Sequence, residues 1–393
     1  MKPLRLAAMT ATSALGHGLA AQRAALEQGR SGLSQTPFEH CDLPCWTGAV
    51  EGLDVPLTGT WAAWDCRNNR LSERALDQDG FRAAVAASAQ RHGADRVGVF
   101  VGTSTSGMLS TEHAYRAIDP GTGRLPADYD YRTTHNPHAA AEFVRLQLGL
   151  QGPALAICTA CSSSAKVFAA AYRALDAGWC DAAVVGGIDS LCLTTLYGFH
   201  SLQLIADDIC RPADVHRKGI SIGEAAGFAL LERGARSGDL ALLGYGESSD
   251  AYHMSAPDPD GRGAQLAMRD ALERAGLHAA DIGYVNLHGT ATPANDASED
   301  RAVMRVFGAQ TPCSSTKGYT GHTLGAAGIV EAVIAALAVE HGFLPASITT
   351  REKDPAIEGN IVLQPQRATI RAALSNSFGF GGNNASLILG RAA

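Results

Sequence analysis

Residues able to do chemistry concentrate in a few short stretches of this chain. In "LAICTACSSSAK", Leu155 to Lys166, an apolar run is followed by Cys158 and Cys161, then by small hydroxyl residues opening into the Ala-rich "VFAAAYRALDAG". The run Ala154–Ile157 reads as a buried strand, and the residues from Ser162 to near Gly178 read as a helix. Cys161 then falls at a sharp strand-to-helix turn. Unpaired N–H groups and the positive end of the dipole at a helix N-terminus favour thiolate over thiol, which makes Cys161 a candidate nucleophile. Two other readings stand beside it. Most free cysteines are small core residues, and Cys158 with Cys161 is spaced as a redox or metal pair. If Cys158 lies in the strand, pleat geometry sends its side chain into the packing layer of the sheet instead.

Two histidines occupy comparable places. "NLHGTATPAND" puts His288 at the end of an apolar strand, and "SSTKGYTGHTLGAAG" puts His322 in a Gly-rich loop leading into a small-residue helix. Functional side chains collect in such strand-end loops, although a lone histidine there is more often a structural hydrogen-bonder. Zinc held by the two cysteines and two histidines is the metal alternative. Zinc sites usually show compact local ligand pairs, which the separated His288 and His322 do not supply. "NSFGFGGNN" sets Phe378 and Phe380 between glycines, so the backbone there either turns close to a substrate or makes a tight turn before the strand "ASLILG".

Short β-branched runs alternating with Ala-rich helical segments carry these stretches. "RVGVFVGTSTSG", "ALAICTACSSS", "DAAVVGGIDS" and "GFALLER" supply strands in the first part; "LALLGYGESSD", "DIGYVNLHGTAT", "TPCSSTKGYTGH" and "LSNSFGFGGNNASLILG" supply them in the second. Helices are expected between them, as at Gly263 to Gly276 and Gly325 to Gly342. The pattern is α/β, with strands apolar enough to be covered on both faces. A break at "GARSGD", Gly234 to Asp239, divides the chain into two lobes of similar layout, 1–235 with Cys161 and 236–393 with both histidine loops. Residues from about 30 to 75 show no clear period.

Composition bounds the possibilities. The 393 residues are 46% hydrophobic and 18% charged, enough for one large core or two fused lobes. A formal charge of -7 gives no basic field for gripping a phosphate backbone, so nucleic acid is not an expected partner. Nine cysteines, an odd number scattered through a long chain, read as reduced thiols in a cytoplasm. The start "MKPLRLAAMTATSALGHGLAAQ" superficially imitates an export signal, but Thr and Ser interrupt its apolar stretch. A first strand, a Gly-containing turn and a helix are the more economical reading. No uninterrupted apolar run spans a bilayer; the best candidate, "GIVEAVIAALAVE", carries Glu331 and Glu340 and reads as a buried helix.

Taken jointly, five motifs resemble one family. "TACSSS" around Cys161, "RPADVHRKGISIGEAAGFALLE" from Arg211, "HGTATPAND" from His288, "STKGYTGHTLGAAG" from Ser315 and "NSFGFGGNN" from Asn376 occur in the order seen in elongating β-ketoacyl-acyl-carrier-protein synthases. These are the condensing enzymes of fatty acid and polyketide synthesis. The resemblance runs from about residue 95 to the end, with a looser match before it.

The resemblance implies a thiolase-like fold of two pseudo-equivalent lobes in α-β-α-β-α layers, and a decarboxylative condensation. Cys161 would take an acyl group from a carrier-protein thioester. His288 and His322 would assist loss of carbon dioxide from a malonyl thioester and stabilise the enolate oxygen, which suits neutral imidazoles acting as N–H donors. Lys317 would pair with Glu299 beside them. The N–H groups of Cys161 and Phe380 would form the oxyanion hole, with Phe380 gating the acyl pocket; Thr290, Thr292 and Phe378 would contact substrate. No permanently bound cofactor or metal is implied, only the phosphopantetheine arm of an acyl carrier protein. The implied assembly is a homodimer, or a heterodimer with a second ketosynthase-like subunit.

Related types serve as contrasts. Initiating condensing enzymes carry a Cys, His and Asn set, whereas this chain offers His322. Chain-length-factor partners lack the cysteine, so a noncatalytic scaffold subunit is the alternative that Cys161 opposes; the twin histidine loops are the wrong set for a coenzyme A thiolase. One departure concerns docking: "LIADDIC" after Gln203 is acidic where the resemblance implies a basic carrier-docking residue. Arg67, Arg70 and Arg74, at helical spacing, could supply a patch or form a solvated face. Finally, "DSLCLTTLYGFHSLQ" resembles synthases of bacterial aryl polyene pigments more than housekeeping enzymes.

Overall fold

Small and β-branched residues make ten main strands in the computed structural model, which describes residues 1–35 and 38–393. In chain order they are β1 Leu4–Ser13, β2 Val97–Gly102, β3 Ala154–Ile157, β4 Ala182–Asp189, β5 Ala225–Glu232, β6 Leu240–Ser249, β7 Tyr284–Asn286, β8 Pro312–Ser314, β9 Ala372–Gly379 and β10 Asn383–Arg391. The helices that matter below are α1 Arg67–Leu76, α2 Phe81–His92, α3 Pro137–Gln147, α4 Ser163–Asp176, α5 Arg262–Ala275, α6 Pro293–Phe307 and α7 Ala327–His341. The expected helices at Gly263 to Gly276 and Gly325 to Gly342 are thus α5 and α7, the latter preceded by a 3-10 turn at Leu324–Ala326. Of the unreadable 30 to 75 stretch, residues 36 and 37 lie outside the described residues.

The strands repeat one arrangement. In the first part the order is β3-β2-β4-β5-β1, and in the second it is β8-β7-β9-β10-β6. β2 runs parallel to β3 and β4, while β5 is antiparallel to β4 and β1. Likewise β7 runs parallel to β8 and β9, while β10 is antiparallel to β9 and β6. Among the described residues, the two series pair where Leu4 and Arg5 of β1 meet Leu242 and Ala241 of β6.

Five layers result. α4 and α7 touch strands of both series, so they form the central layer; α1, α2 and α3 cover the first series from outside, and α5 covers the second with α6 packed on it. The core lies in that central layer, where Ala165, Phe168, Ile329, Val333 and Leu337 are at most 1% exposed. Such burial is the main favourable term for folding. The stretch Leu324–His341 is long and apolar enough to cross a bilayer by composition, but 89% of it is buried inside the fold.

One expectation for the first series is corrected. β3 is an edge strand, half-buried along its length, with Leu155 42% exposed. An apolar run has the same composition at an edge as in a sheet centre, so sequence does not separate the two.

Candidate active site

The parallel strands deliver the site residues at their carboxyl ends, where open α/β sheets bind ligands. Cys161 follows β3, His288 follows β7, Lys317 and His322 follow β8, and Phe378 and Phe380 lie at the end of β9. Ala160 adopts a left-handed φ of 53°, which turns the chain sharply into α4 and presents Cys161. Gly379 packs on that turn; a Cβ there would lie 2.7 Å from the Thr159 carbonyl oxygen. The backbone of His322 is tied into the "KGISIGE" segment, its N–H donating to Ser221 and its carbonyl accepting from Gly223.

These elements bring three groups together. His322 Nε2 lies 3.0 Å from Cys161 Sγ. The His288 and His322 rings meet edge to face, with centroids 5.3 Å apart, and Phe378 packs against His288 at 5.9 Å. Cys161, His288 and His322 are 6%, 3% and 2% exposed. Their ligand atoms all lie within 4.8 Å of one another, close enough to converge on one small group or a soft cation. Cys158, the fourth member of the zinc alternative, is exposed and outside this cluster, and it lies beyond the end of β3 rather than in it.

Burial and a nearby cation set the protonation. Desolvation and the Lys317 ammonium hold both imidazoles well below the ordinary histidine range, so they are neutral at pH 7. Among the described residues, neither Nδ1 atom has a hydrogen-bond partner. Cys161 stands at the expected strand-to-helix turn, but burial opposes the resting thiolate expected from that place. The residue precedes the N-cap position Ser162, and burial pushes its thiol up to about 11, against the pull of Lys317 and of the Phe380 N–H. At rest the site therefore pairs a thiol with an imidazole.

The Lys317 partner is also corrected. Its ammonium donates to Glu331 Oε1 at 2.6 Å and to the His288 carbonyl oxygen. Glu299 instead accepts the N–H groups of His288 at 2.8 Å and Gly289 at 2.7 Å, and the Asn376 amide at 3.1 Å. The carboxylate of Glu299 is used up by the backbone of the His288 loop, while Glu331, in the first turns of α7, faces the lysine. Sequence reading missed Glu331 and Asn376 in these roles. A glutamate inside an otherwise apolar buried helix was the signal, because such a charge is almost never fully buried without a partner.

A further carboxylate ties the loops together. Asp189, the last residue of β4, is fully buried and accepts from Thr103 and Thr105 hydroxyls, from the Ser104 and Thr105 N–H groups, and from Gly325 N–H at 2.6 Å. It anchors the loop after His322 to the loop after β2.

The cluster opens into a cavity of about 330 Å³. Thr290, Thr292, Asn295, Phe199, Phe378 and Phe380 line it with the three site residues. The hydroxyls of Thr290 and Thr292 are 2.9 Å apart, and Phe380 packs on Phe199 at 5.5 Å. The arginine row does not form a patch. Arg67 is spent on the buried carboxylate of Glu224 and Arg70 on Asp65, and Arg74 donates to the Gly52 carbonyl.

Comparison with known proteins shows the family. Residues 69–237 match the family described as "Beta-ketoacyl synthase, N-terminal domain", and residues 241–351 match its C-terminal domain. A 3-oxoacyl-[acyl-carrier-protein] synthase 2 of Rhizobium meliloti (strain 1021) is 39% identical over 316 residues, covering 75% of this chain and 74% of that protein. The ketosynthase solved in complex with its chain length factor from Xenorhabdus doucetiae is 38% identical, with a TM-score of 0.91, covering 100% of this chain and 98% of that one. The ishigamide ketosynthase/chain length factor structure is 28% identical with a TM-score of 0.86, and each chain is covered completely. With its motifs, strand order and site all of one kind, this chain belongs to the β-ketoacyl synthases, condensing enzymes of the acyltransferase class with the thiolase-like fold.

Proposed function

We propose that the chain elongates carrier-bound acyl groups, with the roles divided between the lobes 1–235 and 236–393. The observation that carries the reading is the convergence of the Cys161 thiol with two buried, neutral imidazoles in one cavity. Cys161 sulfur attacks the carbonyl carbon of an acyl-carrier thioester; the phosphopantetheine thiol leaves with the proton, and the acyl group stays on Cys161. The N–H groups of Cys161 and Phe380 face the tetrahedral oxygen. A malonyl thioester then occupies the cavity, its pantetheine amides on Thr290 and Thr292. As carbon dioxide leaves, the electrons of the broken bond enter the enolate, whose oxygen accepts N–H donors from His288 and His322. Neutral imidazoles serve here because the charge appears only as the reaction proceeds. The carbanion attacks the acyl-Cys161 carbonyl, Cys161 thiolate is expelled, and the β-ketoacyl chain remains on the carrier. Lys317 and Glu331 keep the two loops in place; Glu299 holds the His288 backbone.

A second subunit enters through the open edge of β3. The similar ketosynthases were solved with a chain length factor, and the exposed Leu155 edge here has unpaired backbone groups on one side, ready for another strand. With Cys161, this chain takes the catalytic place in such a pair, in the cytoplasm, where its nine free thiols stay reduced.

The substrate we infer is a conjugated polyenoyl or aryl-polyenoyl chain. The stretch "DSLCLTTLYGFHSLQ" supplies Phe199 to the cavity wall. Pocket shape changes selectivity by only about 1–3 kcal/mol per methylene-sized difference, so competition is the right test. A conjugated enoyl-carrier and a saturated acyl-carrier of equal length are mixed with malonyl-carrier. Preference for the conjugated chain is expected; clear preference for the saturated one removes the polyene reading and leaves the condensing chemistry intact.

A further inference from the structure

The stretch "CDLPC", Cys41 to Cys45, takes no part in the condensing site, yet it sets two thiols against one another. Both are free; Cys41 is half-buried and Cys45 is buried. Their side chains are hydrogen-bonded to each other, and burial together with Cys41 pushes the Cys45 thiol up to about 11. The segment turns tightly around Pro44: Cys41 N–H donates to the Phe38 carbonyl and Cys45 N–H to the Leu43 carbonyl, each at 2.8 Å. A cavity of about 240 Å³ lies beside the pair, with Phe38, Leu43 and Thr47 in its wall. The pair is also joined to the catalytic cavity. Cys45 belongs to the apolar cluster of Leu193, Leu196 and Ile220, and Cys41 and Phe199 pack against that cluster. Ile220 and Phe199 in turn line the catalytic cavity. Tyr197, in the short helix Leu193–Ser201 that carries Phe199, accepts the Asp42 N–H at 3.1 Å and donates to the His40 carbonyl at 3.5 Å.

We propose that Cys41 and Cys45 form a reversible dithiol–disulfide site whose oxidant is a low-molecular-weight disulfide such as oxidised glutathione, and that closing it shifts the Tyr197 helix and its Phe199 out of the shape that admits acyl groups. Access decides which thiol reacts first, and Cys41 is the accessible one of the two. Its thiolate attacks one sulfur of the oxidant, expelling a thiolate and leaving a mixed disulfide on Cys41. Cys45, its proton passed to solvent, attacks the Cys41 sulfur and expels the second thiolate. In sum the chain loses two protons and two electrons, and the oxidant becomes two thiols. The new bond holds the sulfurs at about 2.05 Å, far closer than two hydrogen-bonded thiols, so the 41–45 loop contracts and pulls on Tyr197. Closure of the bond needs nothing from the condensing reading; only its effect on acyl transfer rests on that reading.

Two measurements on the full chain test this. In the first, the chain is equilibrated with oxidised glutathione, quenched with acid, alkylated and cut after glutamate, which isolates residues 40–51 with both cysteines and no third. From the oxidised wild type this peptide should be unalkylated and about 2 Da lighter, the mass of the two hydrogens lost, and dithiothreitol should restore it. Two free thiols, or a separate glutathione adduct on each cysteine, overturn the site. In the second, transfer of a hexanoyl group from acyl carrier protein to Cys161 is followed by intact mass. Oxidation should slow the wild type about tenfold and reversibly, and leave Cys41→Ser and Cys45→Ala within about twofold of their reduced rates. Tyr197→Phe, which removes the hydroxyl tether, should still close the disulfide and slow by less than about threefold. Equal slowing in Cys41→Ser or Tyr197→Phe overturns the link to the cavity, as does a closed disulfide with an unchanged rate. Closure in a chain that forms no β-ketoacyl product even when reduced leaves the site standing and overturns the condensing reading; normal condensation in a chain that never closes does the reverse.

Discussion

Lys317 and Glu331 form an ion pair of 2.6 Å with side chains 1% and 5% exposed, and the same ammonium holds the His288 carbonyl. One lysine thus ties the loop of His288 to the helix that follows His322. Breaking a buried pair from one side leaves an uncompensated charge, which costs about 3–5 kcal/mol. Lys317→Met and Glu331→Leu should each lower the urea midpoint strongly, and the double variant by much less than the sum. Additive losses in that cycle would contradict the pairing.

Glu299 should leave a signature in the pH dependence of stability. Burial pushes its carboxyl up to about 7, against the N–H groups of Gly289 and His288 and the Asn376 amide. Between the ordinary value of 4.5 and that value, the folded chain keeps a proton that the unfolded chain has released. Its contribution therefore falls as pH rises through this window and levels off above it, by about 3 kcal/mol in total. The buried neutral histidines act in the opposite sense below their ordinary 6.5, so the comparison with Glu299→Gln isolates the carboxyl. The difference between the wild-type and variant urea midpoints should drift across the window; a constant difference would contradict the assignment.

Alkylation reports the state of the nucleophile. With the thiol near 11, the rate of Cys161 carbamidomethylation should climb roughly tenfold per pH unit between neutrality and pH 9, because only thiolate reacts. Peptide mapping with iodoacetamide measures this against exposed Cys158. A plateau already reached below pH 8 would show a thiolate at rest and restore the helix-end expectation.

The order of elements and the loops of the site were legible because the functional residues stand in short loops between an apolar strand and a small-residue helix, as Cys161 and His288 do, or in a Gly-rich loop before such a helix, as His322 does. What sequence did not show is mostly tertiary. The edge position of Ala154–Ile157 depends on which strands pair, not on its own composition. Glu299 and Glu331 are both carboxylates near a histidine loop, and only the path of α7 decides which one Lys317 meets. Helical spacing correctly placed Arg67, Arg70 and Arg74 on one helix, but Glu224, far away in the chain, takes the first of them out of solvent. Likewise, helix-end placement argues for a thiolate, while the burial that outweighs it appears only once the lobes close over Cys161.

The division of labour between Cys161 and the two histidines is tested most directly by intact-protein mass spectrometry of the two half-reactions. Wild-type chain, Cys161→Ala, His288→Ala and His322→Ala are incubated with an acyl-carrier protein, then with malonyl-carrier protein. An acyl adduct on Cys161 is expected in the wild type, none in Cys161→Ala, and partial acylation without β-ketoacyl product in both histidine variants. Acyl transfer that survives Cys161→Ala, or full condensation by either histidine variant, would contradict that division.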